Sequence, residues 1–178
     1  QEDITLGAAS IAGHFRLDQL VWYYDQNKVQ IAGTIDRVSS DDYKKVFEGM
    51  QWEVLAVNAH DHAQLRKALD YAQTKRSRPL LIIGASTIAY GAHSMEGSNE
   101  THGSPLPAEE RLKTREKLGL PADQEFYAPD ESYKQFRRNF DQRRAEVSAW
   151  QKAFETKLKD PAFKAKYTAY YETKTGTY

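Results

Sequence analysis

Residues 79–83 read Pro-Leu-Leu-Ile-Ile, with Gly84 behind them. A short aliphatic run that opens on proline, where no ladder hydrogen bond is lost, reads as a strand. Its surroundings decide what kind of sheet it joins. Upstream, Asp61 is placed to cap a helix whose apolar face is Leu65, Ala68, Leu69 and Ala72. Before that helix, Trp52 to Val57 reads as another strand. A further helix runs through Tyr43, Val46 and Phe47 and ends near Gly49, with Ser39 and Asp42 at the spacing of a weak capping box. Leu20 to Tyr24 is an apolar, aromatic run that reads as a buried strand. It stops in the polar turn Asp25-Gln26-Asn27, and Val29-Gln30-Ile31 reads as a short extension. Strands alternating with helices of about three turns predict an α/β fold. The sheet is expected to be mostly parallel, with flanking helices and right-handed crossovers.

Working outward, the first segment has Ile4, Ala8, Ile11, Ala12 and Phe15 at helical spacing. Its small residues, Gly7, Ala8, Ala9 and Gly13, would let that helix approach a neighbour closely. Beyond Ile83, residues 84–105 show no periodicity and are rich in Gly and Ser. So long an irregular stretch points to a functional or a disordered loop. Pro107 suits the first turn of a helix, Glu109 and Glu110 favour its dipole, and Gly119 and Pro121 end it. From about residue 130 the chain is charged and aromatic. Helical spacing runs through Tyr133, Phe136, Phe140, Val147, Trp150 and Phe154, and is broken at Asp160-Pro161. The expected division is an α/β domain over 1–128 and a C-terminal helical extension over 129–178.

Composition narrows the function. The 178 residues suit about one domain. Lys plus Arg and Asp plus Glu both number 25, so no overall field draws in nucleic acid or an acidic membrane. There is no cysteine, hence no disulfide framework and no thiolate chemistry. No apolar run approaches the roughly 20 residues that span a bilayer. The N-terminus, Gln1-Glu2-Asp3-Ile4, lacks a signal pattern and an initiator Met, and reads as a cut inside a longer chain.

Ligands of open parallel sheets sit beyond the carboxyl ends of the strands. Two polar loops leave such ends, 25–27 and 87–102, and parallel strands put both on one edge. Asn27 offers a neutral oxygen of the kind Mg²⁺ or Ca²⁺ accepts. The backbone at Gly91, Gly97 and Gly103 can approach an anion, and His102 can donate to a phosphate or shuttle a proton. His60 and His62 form a His-x-His pair without a third ligand of the right type, and Asp61 between them fits a helix cap. Arg137-Arg138 and Arg143-Arg144, interleaved with Asp141 and Glu146, read as a solvated helix face rather than a nucleic-acid contact. These residues alone define a place for a ligand and leave the enzyme class open.

Several separated motifs, in order along essentially the whole chain, resemble the transketolase family. They are Gln-Glu-Asp-Ile at 1–4 with Gly-Ala-Ala-Ser-Ile-Ala-Gly-His at 7–14, Tyr-Asp-Gln-Asn-Lys-Val-Gln-Ile at 24–31, Thr-Ile-Ala-Tyr-Gly at 87–91 and Thr-His-Gly-Ser-Pro-Leu at 101–106. The resemblance implies the thiamin diphosphate-binding fold, with thiamine diphosphate and Mg²⁺ (or Ca²⁺) as cofactors. It implies that Asn27 and the Val29 carbonyl are metal ligands. Asn27, Ile31, Ile88 and His102 would contact the cofactor, and His102 would also meet the sugar. Asp25 would orient the turn, and Glu2 would lie at the subunit interface of a homodimer. The family motif opens with Gly-Asp-Gly, which the chain lacks because it starts just after the place for it. One protein metal ligand, and the pyrimidine-binding domain with the glutamate that activates the cofactor, are therefore expected outside these residues, and the piece alone is expected to be inactive. Gly7 stands where many members carry a second interface glutamate, and Ala89 where glycine is usual, which is expected to stiffen that loop. The implied reaction of the parent is transfer of a two-carbon ketol unit from a ketose phosphate to an aldose phosphate, in the cytoplasm. A non-catalytic binding module of the same fold and a related thiamine diphosphate enzyme such as a phosphoketolase are the alternatives.

Overall fold

The computed structural model describes residues 3–171. The chain divides into two compact units, Gln1–Asp123 and Gln124–Tyr178. The first is built on three parallel strands. β1 (Val21–Gln26) pairs with β5 (Leu80–Ala85), which pairs on its other side with β4 (Glu53–Asn58). The mostly parallel α/β sheet read from the sequence is the one observed.

The strand order follows from where apolar surface can go. β5 is buried from Leu80 to Gly84, as the middle strand of a sheet covered on both faces must be. Leu81 and Ile83 join one core, with Ala9 and Ala12 of α1 (Asp3–His14), Phe47 of α2 (Tyr43–Gly49) and Trp52. Leu80 and Ile82 join the other, with Ala68 of α3 (His62–Ala72). Each buried aliphatic side chain stabilises the fold by about 1.5–3 kcal/mol relative to exposure. On the first face Trp52 packs against Trp22 and Phe47, and its Nε1–H donates to the Ala9 carbonyl at 2.8 Å. The small residues of α1 permit this approach. A Cβ on Gly13 would overlap the Met50 carbonyl. The opposite side of α1 is open: Ile4 and Ile11 are exposed, and a Cβ on Gly7 would meet nothing within 4 Å.

Local capping agrees with the sequence in part. Asp61 accepts from the Ala63 and Gln64 N–H groups and starts α3. At α2 the cap is Asp42, which accepts from the Lys45 N–H at 3.2 Å, while Ser39 bonds Asp41. The capping box expected at Ser39 fails because Asp42 sits directly ahead of the first helical residue and is within reach itself. Val29 and Gln30 do not extend β1. They form β2 (Val29–Gln30), antiparallel to β3 (Gly33–Thr34), because the chain turns at Lys28, whose φ is 62°. The helix after the long loop is α4 (Ala108–Lys117), with Pro107 one position ahead of its first turn.

The second unit contains α5 (Asp130–Arg137), α6 (Phe140–Leu158) and α7 (Pro161–Tyr171). Asp160 accepts from the Ala162 N–H at 2.9 Å and so caps α7, which accounts for the break between α6 and α7. Phe154 stacks on Trp150 along α6 and meets Phe163 and Tyr167 of α7 edge-on. None of the described residues of these three helices is buried. Among the described residues no helix is long and apolar enough to cross a membrane.

Candidate functional site

The ladder sets Gln26, Ala85 and Asn58 at one level, so three loops leave the sheet from a common rim. Two of them border a cleft of about 450 Å³. Asn27, Val29 and His102 all line it, although His102 is far along the chain from the other two. Ile31 and Ile88 are not among the lining residues; Ile31 is 77% exposed and Ile88 half-buried. Ile35, which sequence reading passed over, joins Val29 as the aliphatic lining. Glu2 lies outside the described residues.

The turn at Asn27 is built locally. Its Oδ1 accepts from the Val29 N–H at 3.1 Å, which draws the amide oxygen toward the Val29 backbone. The Ile35 N–H donates to the Lys28 carbonyl at 3.0 Å and closes the small hairpin. Asp25 accepts from the Ser86 hydroxyl, tying the end of β1 to the end of β5. Beside them Tyr24 and Tyr43 meet edge-on at 5.4 Å. Burial, then the neighbouring Tyr43 and Asp25, push the Tyr24 phenol above its usual pKa, so it stays a neutral donor.

His102 reaches the cleft through the long loop. Ser98 caps a short 3₁₀ turn at Asn99–Thr101, and His102 follows with its N–H on the Asn99 carbonyl at 3.0 Å. Asn99 Nδ2 donates to the Ile31 carbonyl at 3.1 Å, linking this loop to the hairpin. Behind the loop Glu110 of α4 accepts from the Ser94 N–H at 2.6 Å, the Ser94 hydroxyl at 2.8 Å and the Met95 N–H at 3.1 Å. These donors, the Ser94 N–H foremost, hold its carboxyl below the ordinary range. Sequence reading assigned Glu110 to the helix dipole. Only tertiary structure shows it as the clamp of the loop.

Gly91, Gly97 and Gly103 all have positive φ, but none lines the cleft, and Gly91 packs against Leu118. Ala89 adopts φ 50°, a left-handed conformation that costs an L-residue about 1–2 kcal/mol. On the third loop, His60 Nε2 accepts from the Thr87 N–H at 2.9 Å, and its ring stacks on Tyr90 at 3.7 Å.

The donor set suits a hard cation and an anion held by it. Among the described residues no three His, Asp or Glu side chains gather into a metal site. A cation here would draw on neutral oxygens, the Asn27 amide and the Val29 carbonyl, as Mg²⁺ and Ca²⁺ do. Asn27 Oδ1 keeps a second lone pair beyond its bond to Val29. His102, on the facing loop, can donate to an anionic oxygen.

The family model described as transketolase, thiamine diphosphate binding domain, matches residues 1–174. Transketolase of Bacillus subtilis is 37% identical over 136 residues, covering 76% of this chain and 20% of that protein. Transketolase 1 of Saccharomyces cerevisiae is 35% identical over 158 residues, covering 86% and 23%. The crystal structure of Campylobacter jejuni transketolase superposes with a TM-score of 0.80 at 34% identity, over 90% of this chain and 27% of that one. Leishmania mexicana transketolase gives 0.78 at 29% identity, over 97% and 24%. The chain thus spans about 20% of the length of the curated relatives it matches.

Proposed function

Since the chain belongs to the transketolase family, in its thiamine diphosphate-binding domain, we propose that its full-length protein is a transketolase (EC 2.2.1.1) and that this part grips the diphosphate end of the cofactor. The reaction is transfer of a two-carbon ketol unit from a ketose phosphate to an aldose phosphate. Thiamine diphosphate supplies the electron sink that makes cleavage beside the ketose carbonyl possible. Everything these residues contribute is anchoring and orientation.

In this reading Asn27 Oδ1 and the Val29 carbonyl bind Mg²⁺ or Ca²⁺, which neutralises the diphosphate. The Asn27–Val29 hydrogen bond holds the amide oxygen beside the Val29 backbone before any ion arrives, reducing the ordering cost of binding. His102 donates to the diphosphate and to the sugar phosphate. Asp25, through Ser86, fixes the turn against the neighbouring strand. Ile31 and Ile88 contribute apolar contacts to the bound cofactor. Residues 129–178 lead toward the pyrimidine-binding domain, and Glu2 sits where two copies meet in a cytoplasmic homodimer. The open apolar side of α1, with Ile4 and Ile11, supports such pairing.

The observation that carries this reading is that Asn27 and His102, from separate segments, line one cleft at the carboxyl rim of a parallel sheet. The test is Asn27→Ala in the full-length protein, with thiamine diphosphate titrated calorimetrically in the presence of Mg²⁺. Loss of a ligand should weaken binding by at least about 100-fold, the upper end for partners that merely support ligands. Unchanged affinity would sink the assignment.

A further inference from the structure

We propose that His60 is a positioning residue for the loop 86–91, holding the backbone that carries Ile88 beside the cofactor cleft. The proposal rests on the reading of that cleft given above. It adds a residue from the loop that follows β4, which does not line the cleft.

The argument begins with register. β4 pairs with β5 from Glu53 opposite Leu80 to Asn58 opposite Ala85. The Ala59 N–H still donates to the Ala85 carbonyl at 2.9 Å. Continued by two residues, the same register sets His60 opposite Thr87. At that rung the chain has left the strand conformation. The Thr87 N–H instead finds the imidazole, with Nε2 accepting at 2.9 Å. A side chain thus takes the place of a main-chain acceptor one step beyond the sheet. An acceptor Nε2 means that the neutral ring carries its proton on Nδ1.

The backbone that carries the imidazole is held in place. The main-chain N–H of His60 donates to Asn58 Oδ1 at 2.9 Å, and the Asn58 N–H donates to Gln64 Oε1 at 3.0 Å. Gln64 is fixed in turn by Asp61, the cap of α3. On its open face the ring stacks on Tyr90 with planes 17° apart. One side chain therefore holds the loop at Thr87 and at Tyr90, on either side of Ile88 and Ala89.

That grip matters because the loop is strained between those two points. Ala89 has φ 50°. The bonds from Gly97 N–H to the Ile88 carbonyl and from Ala92 N–H to the Ala89 carbonyl, both 2.9 Å, fold the loop on itself but do not fix it to the sheet. Strained backbone persists where its surroundings over-determine it. His60 supplies that constraint from the rim.

The test uses the full-length protein and two readouts: thiamine diphosphate affinity with Mg²⁺ by calorimetry, and amide hydrogen exchange at Thr87 without cofactor. His60→Phe keeps a ring to stack on Tyr90 but removes the acceptor. It should speed exchange at Thr87, leave Ile82 protected, and weaken cofactor binding roughly tenfold, the scale of one lost hydrogen bond and its stranded donor. His60→Gln, whose amide oxygen can occupy the place of Nε2, should restore both. If His60→Phe does not fold, His60→Asn, whose shorter side chain cannot reach Thr87, takes its place against His60→Gln. Normal affinity and a protected Thr87 in His60→Phe would overturn the proposal. So would a His60→Gln no better than His60→Phe. If the unaltered protein bound no thiamine diphosphate, the functional reading would fall and this proposal with it, whereas failure confined to the variants leaves that reading standing.

Discussion

The strand at 80–85 and the helices at 130–171 are rich in large apolar side chains, and they use them in opposite ways. Along β5 every residue from Leu80 to Gly84 is buried between two layers of helix. Along α5, α6 and α7 no described residue is buried, and Phe136, Val147 and Trp150 are all exposed. The first region has its partners within the chain. The second has aromatic rings that touch mainly one another, Phe154 among them. Apolar content alone therefore does not mark a core; what matters is whether a second layer lies opposite.

The sharpest way to break this contrast is Leu81→Ala. Removing a fully buried leucine between α1 and α2 should cost about 2–5 kcal/mol, read as a lower urea midpoint by tryptophan fluorescence. Next comes Gly84→Ala, where a new Cβ would overlap the Tyr23 phenol. Displacing that ring should cost about 1–3 kcal/mol in the same assay. Phe154→Ala tests the other region. Its ring pairs are worth about 0.5–1.5 kcal/mol beyond area burial, and losing the half-buried ring should cost less in total than losing Leu81. A loss as large as that of Leu81→Ala would show the helices buried against something in the full-length protein. Ala89→Gly should have a smaller effect of opposite sign. It relieves the left-handed alanine while loosening the unfolded chain, for a net gain of about 0.5–1 kcal/mol.

The smallest effect at neutral pH is expected of Glu110→Gln, which keeps one oxygen for the Ser94 and Met95 N–H groups. Its signature is in acid. The Glu110 carboxyl sits below its ordinary pKa in the fold, so its stabilisation is complete above the ordinary carboxylate range. It is lost as pH falls through the depressed folded value. Thermal midpoints of the unaltered protein and the variant should therefore converge on acidification. Parallel curves would show that the clamp does not depend on charge.

The strands were legible because their apolar runs are short, continuous and bounded by polar turns. A helix start was legible where a cap is adjacent, as at Asp61; at Asp160-Pro161 the sequence showed the break, and the structure shows Asp160 as the cap. Asp42 was missed as a cap because Ser39, Asp41 and Asp42 all offer oxygens within four residues, and only geometry selects among them. The hairpin at Val29 and Thr34 escaped because two-residue strands carry no periodicity. In the site, Asn27 and His102 stood out through local motifs. The roles of His60, Glu110 and Asn99 did not, since each acts on a backbone group distant in sequence; His60 was visible only as half of a His-x-His pair and Glu110 only as a helix-dipole residue.

One consequence follows from β5 lying in step with a neighbour on each side. Adding or deleting a single residue inside 80–85 would exchange the side chains sent to the two cores and shift two pairings together. Length changes among naturally occurring versions of this domain should therefore be confined to the segments past the rim, while the strand between its two neighbours keeps a constant residue count.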